Sequence, residues 1–149
     1  MKKDGDICLV APGSDRCWAV SSSDTAPVLW SLGASIRLDG PGGARTIPVS
    51  ALFHDDGIQY LAKRPDEIVT EITLPAAAGW RSVYLKLRRR GSFDFPILGV
   101  AAAARLEGDV VREARIVLGA VASTPREAPK AAQALIGHRL TTETIEAAA

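Results

Sequence analysis

The chain is poor in the residues that usually announce a special architecture. Of its 149 residues only two are cysteine, two histidine and one methionine, and aromatics make up 5%. Cys8 and Cys17 are too few for a disulfide framework; in a cytosolic chain, free thiols or metal ligands are expected before a disulfide. No apolar run approaches the roughly 20 residues needed to cross a bilayer, so no membrane association is expected. The opening MKKDGD is followed by no apolar stretch, which argues against a secretory signal and for the cytoplasm. An excess of one charge is lacking too: 18 Lys and Arg stand against 17 Asp and Glu. With that balance and no polybasic block, nucleic acid is not an expected partner. There is no Ser/His/Asp set, no HExxH and no P-loop. His54 and His138 fall in loops without partners and read as surface residues, so no independent catalytic site is visible.

What remains suits compact folding: 47% of the residues are hydrophobic and 23% charged, and a chain this long can bury a core without staples. Asp24 stands at the N-cap of a short helix that begins Thr25-Ala26-Pro27 and stops at Gly33. Residues 34–38 and 45–49 flank Gly40-Pro41-Gly42-Gly43 and predict a hairpin, its glycines forming the tip and not a phosphate cradle. A strand is expected over 67–74, with Ile68, Ile72 and Leu74 on one face and Glu67, Val69, Glu71 and Thr73 on the other. Pro75–Gly79 reads as a boundary between two units. In 82–88, Val83, Leu85 and Leu87 share one face and Tyr84, Lys86 and Arg88 the opposite one, a polar face that by itself reads as solvated. Residues 97–106, with four consecutive alanines, suit a central strand on which a helix can lie close. Gly108-Asp109 turns into a further strand over 110–118. Thr124-Pro125-Arg126-Glu127 has the form of a capping box opening a helix that Gly137 ends; Pro129 costs it one hydrogen bond, so a later start of its regular part is expected, and Thr141 caps another. The fold class is α+β: an antiparallel sheet of about three strands followed by helices packed on one face.

Three stretches carry a family likeness: SDRCWAVSSSDTAPVLWSLGASIRL (14–38), RPDEIVTEITLP (64–75) and YLKLRRRGSFDFPILGVAAAARLEGDVVREARIVLGAVASTPREAP (84–129). Together they resemble the FAD-binding subunit of the molybdenum hydroxylases, the xanthine dehydrogenase and carbon monoxide dehydrogenase family. The resemblance implies the C-terminal half of that subunit. Residues 1–75 would end a PCMH-type FAD-binding domain, and 80–149 would form a CO dehydrogenase flavoprotein C-terminal-like domain. It also implies an electron-transfer role, with a molybdopterin-containing large subunit and a 2Fe–2S small subunit as partners. Apolar surface left open where the first half would pack favours self-association, so a homo-oligomer belongs among the expectations.

Several site residues follow from the same resemblance. Asp24 occupies the position where the family places an acidic residue beside the flavin. Lys86 matches a lysine near the isoalloxazine ring, and Val69 lies where the family offers backbone contacts to it. The glycine-rich loops that hold the FAD pyrophosphate have no counterpart ahead of residue 24, so FAD binding by this chain is expected to be weak or absent. KKDGDICLVAPGSDRC looks most like the 4-hydroxybenzoyl-CoA reductase branch, whose flavin subunits carry an inserted loop with a 4Fe–4S cluster. Cys8 and Cys17 match the last two of its four cysteine ligands, making 1–20 the remnant of an iron–sulphur loop that cannot complete a cluster alone. In that branch the substrate is an aromatic acyl-CoA; a plain hydroxylase of an N-heterocycle or aldehyde is the other expectation. Without the resemblance, the C-x8-C spacing describes two ordinary free thiols. Asp94 is expected to pair with one of Arg88, Arg89 and Arg90, a run that the family places near the flavin and a subunit contact. The competing reading is a non-catalytic domain that docks to partner subunits without binding flavin.

Overall fold

A computed structural model describes Cys8 and residues 10–149, and in it the strands segregate into two antiparallel sheets. The first has the order β2-β1-β3, built from β1 (Ser35–Gly40), β2 (Gly43–Pro48) and β3 (Ile68–Thr73). Helix α1 (Thr25–Ser31) precedes it and ends where Gly33 takes a φ of 72°, a left-handed turn open to glycine. The β1–β2 hairpin closes with Gly40 opposite Gly43, so the glycine run is a tip, as its flanking strands predict. Ala34, Ile36, Leu38 and Val49 form a buried cluster, with Leu29, Trp30, Ile47, Leu52 and Phe53 packed against it.

The expected alternation along 67–74 fails in an instructive way. Val69 pairs with Leu38 and Glu71 with Arg37, which leaves Thr70 as the extra residue of a β-bulge. A bulge sets two residues opposite one and reverses the alternation beyond it. Val69 and Ile72 therefore share the face of Leu38 and Ile36, whereas Ile68 and Ile72 do not share one. Glu67, just ahead of the strand, is buried at 1% exposure. Its Oε1 accepts from Arg45 Nε at 2.7 Å and its Oε2 from Arg45 Nη2 at 2.9 Å and the Arg64 amide at 2.6 Å. Arg45, then the Arg64 amide, hold its carboxyl down at about 2. A buried carboxylate persists only when paired in this way.

The second sheet has the order β4-β5-β6-β7, from β4 (Trp80–Leu87), β5 (Leu98–Glu107), β6 (Val110–Gly119) and β7 (Arg126–Glu127). The alanine-rich β5 is central, and α1 lies against β5 and β6 as the small side chains predict. The α1 side carries Tyr84, Lys86, Gly99, Ala101, Val117 and Gly119, which are paired across the strands. A Cβ on Gly119 would stand 3.1 Å from Pro27 Cγ of α1. The reading of β4 as polar-out is thus reversed. Its polar face turns to α1, while Val83, Leu85 and Leu87 are 54%, 65% and 58% exposed.

The capping box at Thr124 does not form. Arg126 and Glu127 pair with Leu118 and Val117 as β7, and α2 starts later, at Pro129, running to Leu135. Proline disfavours helical backbone in the residue before it, and Ala128 accordingly sits at φ −110°, ψ 72°. Thr141 does cap α3 (Thr142–Ala148), through a reciprocal box with Thr144. Among the described residues no helix is long and apolar enough to cross a membrane.

Candidate functional site

The side chains with the most developed polar geometry meet where α1 begins beside β4. Asp24 has helical backbone angles and its side chain caps nothing. That correction has a simple cause. The Ser23 hydroxyl accepts from the Ala26 amide at 3.1 Å, which frees the Asp24 carboxylate for other partners. Its Oδ2 accepts from Lys86 Nζ at 2.7 Å and its Oδ1 from the Tyr84 hydroxyl at 2.8 Å. The Lys86 side chain is 21% exposed and that of Asp24 44%. The ammonium, and to a lesser degree the phenol, hold the Asp24 carboxyl below the usual carboxylate range. Burial, reinforced by the neighbouring carboxylate, pushes the Tyr84 phenol up to about 12. Tyr84 thus remains a donor at every physiological pH. Alternation put Tyr84 and Lys86 on one face; that this face turns inward was not visible from alternation alone.

The structure does not gather all the expected site residues here. Val69 lies on the edge strand of the other sheet, paired with Leu38. Cys8 and Cys17 are buried and free, not disulfide-linked. Each sulphur accepts from a nearby amide, Ala11 to Cys8 and Ala19 to Cys17, both at 3.4 Å. The Ala11 amide and then that of Val10 lower the Cys8 thiol below its ordinary value. The segment ahead of Cys8 falls outside the described residues. Asp94 pairs with Arg90 at 3.0 Å, while Phe93 beside it is 90% exposed. His54 and His138 are exposed, as expected.

A second polar tie went unread in the sequence. Asp55 meets Arg16 at 2.9 Å and also Arg126, so one carboxylate joins the start of the chain to β7. The Arg16 guanidinium lies 3.5 Å from the centroid of the Trp18 ring, a cation–π arrangement. Nothing in the local spacing marks the Asp55 tie, because Arg16, Asp55 and Arg126 are far apart in sequence.

The residues present fit one end of a flavin. A half-buried ammonium and phenol around a carboxylate suit the edge of a ring that accepts electrons. The pyrophosphate end needs clustered amide donors, and the glycine run that could offer them is closed into the β1–β2 tip. This chain cannot complete a 4Fe–4S cluster alone: the cluster takes four thiolates, and the chain has two cysteines. Among the described residues no group of three or more His, Cys, Asp or Glu could hold a metal ion.

Comparison with known proteins divides the chain in two. Residues 5–77 match the family model described as the FAD binding domain in molybdopterin dehydrogenase, and 82–149 that of the CO dehydrogenase flavoprotein C-terminal domain. The carbon monoxide dehydrogenase medium chain of Hydrogenophaga pseudoflava is 33% identical over 149 residues, covering 97% of this chain and 47% of that protein. The glyceraldehyde dehydrogenase medium chain of Sulfolobus acidocaldarius is 30% identical over 125 residues, covering 84% of this chain and 43% of that one. The chain therefore spans less than half the length of these relatives. Among solved structures, carbon monoxide dehydrogenase from Hydrogenophaga pseudoflava, in a form lacking the Mo-pyranopterin moiety, superposes with a TM-score of 0.76 at 34% identity, over 85% of this chain and 44% of that one. Quinoline 2-oxidoreductase from Pseudomonas putida shares the fold, with a TM-score of 0.74 at 22% identity over 87% of this chain and 44% of that one. The two matched segments meet at the ion pair of Asp24 with Lys86, and the chain belongs to the family of FAD-binding medium subunits of molybdenum hydroxylases of the CO dehydrogenase type.

Proposed function

We propose that this chain is the C-terminal part of an electron-transfer subunit that holds FAD between a molybdopterin-containing large subunit and a 2Fe–2S small subunit. Bound FAD would supply the redox chemistry. The chain's own residues would flank the ring end, with Asp24 and Lys86 as its neighbours and the β3 backbone at Val69 as a further contact. The observation that carries the reading is the Asp24–Lys86 pair itself. It draws one residue from each of the two matched segments into a half-buried cluster at their meeting point. The units would be 1–75 and 80–149, with the joint in the Pro75–Gly79 stretch.

Within the family, the segment around Cys8 and Cys17 favours the 4-hydroxybenzoyl-CoA reductase branch, and with it an aromatic acyl-CoA as the parent enzyme's substrate. In that reading both cysteines ligate a 4Fe–4S cluster in the intact protein, completed by two ligands from outside this chain. The cytoplasm is the matching compartment. A second reading, a docking domain without flavin, is favoured by the open apolar face of Val83, Leu85 and Leu87, which suits packing against a partner or a second copy.

Titration with FAD, followed by quenching of flavin fluorescence, separates the two. The flavin reading expects weak saturable quenching that Lys86→Ala weakens further. Absence of quenching by the unaltered chain would leave the docking reading in place.

A further inference from the structure

Tyr84 belongs to none of the roles assigned above, yet its surroundings are built around its hydroxyl. Across the strand pair from Lys86 stands Gly99, and a Cβ added there would lie 2.5 Å from Tyr84 Oη and 3.1 Å from its Cε2. The phenol thus occupies space that only a glycine leaves open. It donates to Asp24 Oδ1, while the other oxygen of the same carboxylate receives Lys86 Nζ. The Asp24 side chain is 44% exposed. Released from Tyr84 it is free to rotate towards water, and a single flexible ion pair at that exposure holds little geometry. Two partners on two different oxygens fix a carboxylate in a way that one cannot.

We propose that Tyr84 is a positioning residue: seated over Gly99, its hydroxyl locks Asp24 so that the carboxylate stays on Lys86 and keeps that ammonium neutralised and in place. The proposal rests on the flavin reading for its consequence. An unneutralised cation near the ring would stabilise the anionic reduced flavin and raise its potential. The Asp24–Lys86 pair moderates that pull, and Tyr84 keeps the moderation constant. Burial and the Asp24 carboxylate keep the phenol protonated well above neutral pH, so it stays a donor to that carboxylate. Asp94 is the other carboxylate that feels Lys86, and it is already committed to Arg90 and to the Arg90 and Phe95 amides.

The test uses the intact protein, with FAD bound and with FAD removed. With FAD bound, Asp24→Asn shifts the flavin midpoint potential upward. Tyr84→Phe shifts it in the same direction by less, and the Tyr84→Phe shift is lost in a Lys86→Met background. With FAD removed, urea unfolding of Tyr84→Phe, Lys86→Met and the double variant gives non-additive midpoints, since the two residues act through one carboxylate. Additive midpoints overturn the positioning role whatever the flavin does. Non-additive midpoints with a potential that none of the three variants moves retain the lock but overturn the flavin reading and the tuning built on it. A Tyr84→Phe shift that persists in the Lys86→Met background overturns the route through Asp24.

Discussion

The two sheets close their inner faces in opposite ways. The first fills its core with large aliphatic side chains: Ile36 and Leu38 from β1, Val49 beyond β2, and Leu29 and Trp30 from α1. The second presents Gly99, Ala101, Ala103 and Gly119, and lets α1 settle almost onto the backbone of β5 and β6. Helix α1 is the element both share. One of its flanks packs into a core of bulk, and Pro27 rests against a face made by leaving bulk out. The polar cluster at its start exists because that approach is so close: Asp24 comes within reach of Lys86 and Tyr84 only while α1 lies on the small-residue face. The site is a consequence of packing, and the two cores should fail under opposite substitutions.

Large-to-small change should hurt the first sheet most. Leu38 is fully buried, and Leu38→Ala is expected to cost about 2–5 kcal/mol in urea unfolding. A loss under about 1 kcal/mol, smaller than that range allows, would mean the cluster is not a packed core. Small-to-large change should hurt the second sheet. Ala101→Leu forces α1 outward, with an expected cost of about 1–3 kcal/mol, and it should also break the Asp24–Lys86 pair, seen as loss of the Lys86–Asp24 contact in a structure of the variant. The reciprocal outer-face change, Leu85→Thr, should leave stability within about 0.5 kcal/mol while reducing self-association in sedimentation. If Leu85→Thr destabilises as much as Ala101→Leu, the distinction between the two faces of β4 is wrong.

Acid should distinguish the two regions as well. Glu67 belongs to the first sheet's margin, and its folded carboxyl is depressed from 4.5 to about 2. A depressed carboxyl contributes stability that is present above the unfolded value and lost as pH falls towards the folded one. The urea midpoint should therefore decline between about pH 4.5 and 2, and Glu67→Gln should flatten that part of the profile. Asp24 has the same sign, but it is exposed enough for solvent to screen most of its share.

Much of this organisation was legible in the chain itself. The hairpin around Gly40–Gly43, the alanine strand that accepts a helix, the turn at Gly108-Asp109 and the Thr141 cap all follow from local chemistry. What was not legible depends on distant partners. The β-bulge at Thr70 arises from pairing with Arg37 and Leu38, and it reverses faces that a period of two would otherwise assign. The inward turn of the polar face of β4 depends on where α1 lands. Thr124 has the form of a helix cap and Pro129 signals the later start, yet only the ladder with β6 shows that Arg126 and Glu127 become a strand. At the site, Asp24 and Lys86 were singled out by resemblance and the fold brings them together, while Tyr84 emerges only from its hydrogen bond to Asp24.

The central claim, that the start of α1 and the end of β4 flank a flavin ring, is most directly tested by photolabelling the FAD-depleted intact protein with 8-azido-FAD, whose reactive group sits on the ring. Mass spectrometry of the digested adduct should place the label on peptides from residues 23–31 or 84–95, with FAD in excess suppressing it. Labelling confined to other parts of the protein, or labelling here that excess FAD leaves unchanged, would contradict the account.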